Sequence, residues 1–328
     1  MSVDFNRLFE DFNRLKVLIV GDVMIDAYIV GKVERISPEA PVPVVSVTGK
    51  EQRLGGAANV ALNVRALGAQ PYMCSVIGDD EGGFEIKKLF TQAGINHDGL
   101  VASPSRPTTV KTRIIGNNAQ MLRIDEEITT PVTTAESNQL VAAIGELLPQ
   151  MDVVIFEDYD KGVLTAENIK EIIALAQQHN IPTIVDPKKV NFAHYKQATL
   201  FKPNLKEIKE GLKTDENLKD LAKLKEAIAQ LKQLLNNPMV MVTLSELGVM
   251  ITDHTDYHHI PAHVRNIADV SGAGDTVVSV AALCLALNTD MKTTAFLSNI
   301  AGGLVCEKVG VVPIEKDLLL HEAIRLYN

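Results

Sequence analysis

The chain has 328 residues, of which 46% are hydrophobic and 22% charged, a balance that supports a large buried core and excludes a low-complexity chain. A formal net charge of -9 repels phosphate backbones and sets nucleic acid aside as a partner. No apolar run approaches the roughly 18 residues of a membrane span, and Cys74, Cys284 and Cys306 lack CxxC spacing, the pattern of buried free thiols in a reducing cytoplasm.

Residues 1–15 alternate apolar and charged positions without a secretory apolar core, and they read as a short amphipathic helix before the first strand. Lys16–Asp22 (KVLIVGD) is a short apolar run closed by Gly-Asp, as in a buried parallel strand. Asp22 and Asp26 fall at and just after its carboxyl end, where open α/β sheets bind ligands. A carboxylate there accepts two hydroxyl hydrogen bonds and suits a polyol, although turn chemistry explains Asp22 and a solvated loop explains Asp26 equally well.

Residues 27–47 are rich in Val, Ile and Pro without helical spacing. Gly55-Gly56-Ala57-Ala58-Asn59 then runs into a helix, its small residues permitting close backbone approach and Asn59 offering both donor and acceptor. Residues 104–124 alternate polar and apolar positions around a turn at Gly116-Asn117-Asn118, a hairpin with one polar face. The segments 27–47 and 98–124 therefore predict a small β-sheet lid within one α/β domain spanning 1–328.

Helical patterns follow at Thr134–Leu148, Ala166–Gln178 and Glu216–Leu235. They alternate with apolar runs at Asp152–Phe156, Pro182–Val185 and Met239–Thr243. That alternation predicts a doubly wound, mainly parallel sheet with helices on both faces. The lysines of 219–232 surround Leu221, Leu224, Ile228 and Leu231 at helical spacing, so they form a solvated face. His254, His258, His259 and His263 lack cysteine partners or a helical HExxH setting and read as a surface hairpin, not a zinc site.

The strongest chemical signal is Asp269-Val-Ser-Gly-Ala-Gly-Asp275 before the apolar helical run 276–287. Gly272, Ala273 and Gly274 place free N–H groups and a positive helix end where an anion can sit. A carboxylate at Asp275 opposes anion binding by charge, yet suits holding a hydroxyl that attacks phosphorus; the plainer reading is a helix cap. There is no GxxxxGK[ST] loop, and the third glycine of a dinucleotide fingerprint is missing.

Gly55-Gly-Ala-Ala-Asn59-Val-Ala61 with Gly68 and Gly78, and Asp269–Asp275 more than two hundred residues later, resemble the two signatures of the ribokinase/PfkB carbohydrate kinases. Val280 stands where that pattern wants Ala or Gly. Gly21–Asp26, Arg35–Val44, Asp158-Tyr-Asp-Lys-Gly162, Asp186-Pro-Lys188 and Pro203-Asn204 are most similar to the branch acting on a heptose 7-phosphate. The resemblance covers roughly residues 12–315. Leu244 departs from it, since a basic residue is expected there. That branch often carries a fused adenylyltransferase domain; with Asn328 as the last residue, a stand-alone kinase is expected.

The resemblance implies a ribokinase-like fold, ATP and Mg²⁺ as co-substrate and metal, a sugar phosphate as acceptor, and a cytoplasmic homodimer paired through the lid. It implies Asp275 as base and Gly272–Gly274 as anion hole. Asp22, Asp26, Gly55, Gly56 and Asn59 are expected at the sugar, and Thr243, Ser245, Gly248 and Asn299 at the nucleotide. Asn204 and Glu207 are expected to place Mg²⁺ through water, and Asp269 and Ser271 occupy the positions of a monovalent cation, K⁺. A phosphate already on the sugar calls for cations away from Asp275, and Lys111, Arg113, Arg123 and Lys161 are the candidates. The alternatives are a kinase for fructose, ribose or a hexose phosphate, and a non-catalytic ligand sensor of the same fold.

Overall fold

The first strand, β1 (Lys16–Gly21), shows how the sequence sorts itself into layers: Val17 and Ile19 point to one face, Leu18 and Val20 to the other, all fully buried. A strand with period two and apolar residues on both faces requires a helical layer on each side. The protein, a computed structural model describing residues 3–253 and 256–327, builds two such layers.

Nine strands form the large sheet in the order β13-β12-β11-β10-β9-β8-β1-β4-β5. They are β1, β4 (Gln70–Gly78), β5 (Asn96–Ser103), β8 (Val153–Glu157), β9 (Thr183–Asp186), β10 (Leu200–Phe201), β11 (Met239–Thr243), β12 (Val249–Thr252) and β13 (Tyr257–Ile260). From β5 through β11 neighbours run parallel, and β12 and β13 are antiparallel. One face is covered by residues of α1 (Phe5–Phe12), α2 (Ala57–Ala66), α3 (Glu81–Ala93), α8 (Ala273–Ala286), α9 (Met291–Val305) and α10 (Lys316–Leu326). The other is covered by α4 (Thr134–Leu147), α5 (Ala166–Gln178), α6 (Leu205–Leu212) and α7 (Leu221–Leu235).

A second sheet has the order β3-β2-β6-β7, from β2 (Val23–Ile36), β3 (Pro43–Gly56), β6 (Val110–Gly116) and β7 (Ala119–Glu126). Asn117 and Asn118 both adopt positive φ between β6 and β7, the left-handed pair that a two-residue hairpin demands. This sheet differs from the expectation in its bounds. Residues 98–103 belong to β5 at the edge of the large sheet, and the lid strand β3 continues to Gly56. Its outer residues are polar and exposed, which hides the strand from an apolar-run reading. Helix α7 also begins later than expected, because Asp220 accepts from Ala222 N–H and Lys223 N–H and caps it there.

His258 and His259 lie on β13 of the β12–β13 hairpin, with His259 Nε2 2.8 Å from the Leu247 carbonyl, and His263 follows the strand. His254 lies outside the described residues. All three cysteines are buried and free. Among the described residues no helix is long and apolar enough to cross a membrane.

Chain order places β4 on one side of β1 and the later β8 on the other, so the sheet changes direction between β1 and β8. Ligands of open α/β sheets bind at such a switch point, outside the carboxyl ends of the strands. Asp22 and Glu157 stand there.

Candidate active site

Helix α8 opens at the carboxyl edge of the large sheet, and Gly272 is its N-cap with φ +78°. A side chain at Gly272 would press on Val311 and on the Asn59 amide, at 3.0 and 3.1 Å. Ala273 N–H is already engaged with the Val270 carbonyl at 3.3 Å. Of the three expected anion-hole residues, Gly272 and Gly274 keep amides without a backbone partner among the described residues.

Asp275 lies in the first turn of α8 with only 8% of its surface exposed. Asn59 Nδ2 donates to its Oδ2 at 2.5 Å, and the Tyr159 hydroxyl donates to its Oδ1 at 3.0 Å. Burial pushes the carboxyl up to about 6; the Asn59 and Tyr159 hydrogen bonds pull against that rise, while Asp186 adds to it. The Tyr159 phenol is itself raised well above its ordinary range by burial and by Asp275. Helix α2 starts immediately after the Gly55-Gly56 turn, and this brings Asn59 within reach. Gly56 (φ +59°) allows the Ala57 N–H to bond the Asp22 carbonyl at 3.0 Å, and a Cβ at Gly55 would strike the Asp26 carboxylate.

Asp22 is engaged by the protein itself. It is 1% exposed, and its carboxylate accepts the N–H groups of Tyr159 (2.8 Å), Lys161 (3.2 Å) and Val163 (3.1 Å). It therefore anchors the loop after β8, which presents Tyr159 to Asp275. Its pKa is pushed up to about 6 by burial and by Asp158, against those three hydrogen bonds.

Asp26 sits on the lid strand β2 and is bound by Arg113 at 2.5 Å, which also stacks over Tyr28. Lys111 and Lys161 converge on Glu127, at 2.6 and 2.7 Å to its two oxygens. Arg123, half-exposed on β7, is paired with Asp125, which Lys111 also reaches at 3.2 Å. The structure thus brings Lys111 and Lys161 together on Glu127 and joins Arg123 to them only through Asp125.

The expected nucleotide-side residues gather at the ends of β10, β11 and β12. Asn204 and Glu207 form a capping box at α6, each bonding the other's backbone N–H at 2.9 and 2.8 Å. Asn204 bridges to Thr243, Ser245 has φ +53°, and Gly248 packs where a Cβ would meet the Ile260 carbonyl. Asn299 on α9 donates to the Pro261 carbonyl at 2.9 Å. Leu244 is buried in the core and carries no contact to this edge by charge. Asp269 accepts from Ser271 N–H and Oγ and from Gly310 N–H, at 2.9, 2.8 and 3.0 Å. These bonds make Asp269 and Ser271 a brace for the glycine loop.

Several residues of the site had no role in the sequence reading. Asp186 lies beneath the glycine loop, 3.5 Å from where a Gly274 Cβ would be, and bonds buried Lys202 at 2.9 Å. Lys188 bonds Glu207 at 3.0 Å. Glu127, Tyr159 and Glu157 complete the surroundings. The matched segments 158–162 and 186–188 pointed to this region, but nothing marked Glu157 beyond its place at the end of an apolar run.

Comparison with known proteins agrees with this geometry. The model of the pfkB family carbohydrate kinases matches residues 14–317. The D-beta-D-heptose 7-phosphate kinase of Bordetella bronchiseptica is 41% identical over 96% of this chain and 98% of its own length. The bifunctional protein HldE of Desulfatibacillum aliphaticivorans is 40% identical over 93% of this chain, which spans only 62% of that protein. Among solved structures, Escherichia coli phosphofructokinase-2 in complex with potassium superimposes with a TM-score of 0.76 over 96% of this chain and 99% of its own, at 18% identity. Arabidopsis thaliana ribokinase complexed with ribose and ATP gives 0.70 over 93% and 98%, at 16% identity. The latter two share the fold. The chain belongs to the pfkB family of carbohydrate kinases.

Proposed function

We propose that the protein transfers the γ-phosphoryl group of ATP to the anomeric hydroxyl of a D-glycero-D-manno-heptose 7-phosphate, giving the 1,7-bisphosphate on the route to nucleotide-activated heptose. The observation that carries this reading is Asp275 at the mouth of α8, oriented by Asn59 and Tyr159 beside the free amides of Gly272 and Gly274. The relative of matching length bears the heptose 7-phosphate kinase name.

In this reaction Asp275 accepts the hydroxyl proton and aims the oxygen at phosphorus. The transferring group spreads negative charge over its oxygens, and preorganised amides answer that charge without reorganising. An anomeric hydroxyl is more acidic than an ordinary alcohol, so a base titrating near pH 6 is adequate. The lid strands carry Asp26, Arg113 and Lys111 toward the acceptor side, where Lys111 and Lys161 suit the 7-phosphate. Closure over the sugar excludes water and limits idle ATP hydrolysis.

Mg²⁺ bound with the nucleotide neutralises phosphate charge. The capping box uses Asn204 Oδ1 and Glu207 Oε2, which leaves Glu207 Oε1, held by Lys188, to face a hydrated ion. A K⁺ ion beside the glycine loop would add to the field that Asp269 already braces. Val47, Leu122 and Ile124 expose apolar side chains on the lid, which supports a homodimer paired through that sheet. Sedimentation of a Leu122→Glu variant tests the pairing and should give monomer; an unaltered dimer excludes the lid as its seam.

The discriminating assay couples ADP release to a panel of heptose 7-phosphate, unphosphorylated heptose, fructose 6-phosphate and ribose. The heptose 7-phosphate should be turned over with kcat/KM at least tenfold above the others. Equal turnover of unphosphorylated sugars would remove the heptose assignment and leave the family activity.

A further inference from the structure

Glu157, the last residue of β8, is fully buried, and neither of its carboxylate oxygens has a hydrogen-bond partner. Among the described residues it is the only carboxylate in that condition. Its cross-strand neighbour in the parallel register is Asp186, at the end of β9. One oxygen from each of Glu157, Asp186 and Asp275 lies within 4.8 Å of the others.

The charges around them do not balance. Lys202 is spent on Asp186 at 2.9 Å, and Lys188 on Glu207 at 3.0 Å. Glu157 and Asp275 are left without a cationic partner of their own. With all four carboxylates ionised, two ammonium groups leave an excess of two negative charges in a water-poor pocket; burial and the neighbouring carboxylates raise Glu157 well above its ordinary range, so either a proton or a cation must answer that charge. Hydrogen bonds to Asp275 from Asn59 and Tyr159 occupy one lone pair on each oxygen, so a further bond to either is open.

We propose that Glu157, Asp186 and Asp275 form a divalent-cation site beneath the glycine loop, one that binds its ion without nucleotide or sugar. The donor set is oxygen only, as hard cations such as Mg²⁺, Mn²⁺ and Ca²⁺ require. Bond lengths of roughly 2.0–2.6 Å place opposite ligands about 4–5 Å apart at most, and these three oxygens all lie within 4.8 Å of one another. One divalent ion would cancel the excess of two charges. The site uses none of the oxygens of the Asn204–Glu207 capping box, two of which accept backbone amides while Glu207 Oε1 accepts from Lys188. It does not depend on which sugar is phosphorylated.

The test is Mn²⁺ titration of the nucleotide-free, sugar-free protein, with free Mn²⁺ followed by electron paramagnetic resonance. Wild type should bind one ion per chain. Glu157→Gln, an isosteric change, should weaken that binding at least tenfold, and Asp186→Asn should do the same from the neighbouring strand. Thermal melts at pH 8 give a second reading: Mn²⁺ should raise the wild-type Tm and leave Glu157→Gln unmoved. Wild-type protein that binds no Mn²⁺ without nucleotide overturns the site whatever the variants do. So does an unchanged affinity in folded Glu157→Gln. A third overturning result is a higher Tm for metal-free Glu157→Gln with no Mn²⁺ effect on either protein, which would mean that Glu157 simply carries a proton.

Discussion

Asn59 and Asp275, 216 residues apart in sequence, meet at 2.5 Å, and the Tyr159 hydroxyl closes the other side of the same carboxylate. Each donor favours the ionised acid, so removing one must raise its pKa. Tyr159→Phe should therefore move the acid limb of the kcat/KM profile upward in pH by several tenths of a unit or more, with turnover at pH 8 falling less than tenfold. Asn59→Ala should do both harder, because it removes the shorter bond. A limb that stays in place in both variants would show that the titrating group is not Asp275.

Asp275→Asn couples activity to stability. A general base contributes about 10²–10⁴-fold to rate, and kcat should fall by that factor. Folding should change in the opposite sense. The acid titrates near 3.8 when unfolded and about 6 when folded, so the native state holds the extra proton between those values. Wild-type stability at this residue is undiminished below pH 4 and is lost as pH rises through 6. Two units correspond to about 3 kcal/mol. In EDTA, denaturant melts should show Asp275→Asn gaining on wild type across pH 4–7 by that order; a gap independent of pH would refute the burial argument.

The strand–helix rhythm and the glycine loop were legible because each rests on local chemistry: short continuous apolar runs for β1, β8 and β9, and tight-turn glycines before an apolar helix. Asp22 was legible as a position, but its backbone partners were not. Its place at a strand end is local, whereas the three amides that consume it come from residues 159–163, brought in by the fold. Glu157 and Glu127 were missed for the same reason. A carboxylate reveals its partners only when β9 and α8, or Lys111 and Lys161, arrive beside it. The bounds of the lid failed where exposure erased the apolar signal, as along β3.

Gly56 carries the turn into α2. Its φ of +59° and ψ of -137° fall in a region essentially reserved for glycine, and a Cβ would stand 2.4 Å from the Asp22 carbonyl. Gly56→Ala should destabilise the protein by about 2 kcal/mol or more and displace Asn59 with its helix. Gly145, inside α4 with nothing within 4 Å of its missing Cβ, is the internal control. Gly145→Ala should stabilise by about 0.5–1 kcal/mol. Equal melting temperatures for the two variants would show that the Gly56 turn is unstrained.

Glu127 bridges the two lysines that a sugar phosphate would need, with one oxygen on Lys111 and the other on Lys161. The lysine hydrogen bonds hold its carboxyl below the ordinary range despite partial burial, so it remains ionised near neutrality. A phosphate approaching this pair must share or displace that carboxylate. Lys161→Ala should raise KM for the phosphorylated sugar at least tenfold, with KM for ATP changing less than twofold. Glu127→Gln frees the Lys161 ammonium and leaves Lys111 only its longer contact with Asp125, and it should lower KM for the phosphorylated sugar several-fold at low salt, an advantage that screening removes above about 0.5 M salt. Movement of the ATP KM alone in Lys161→Ala would place this cluster on the nucleotide side and leave the distal phosphate to Arg113.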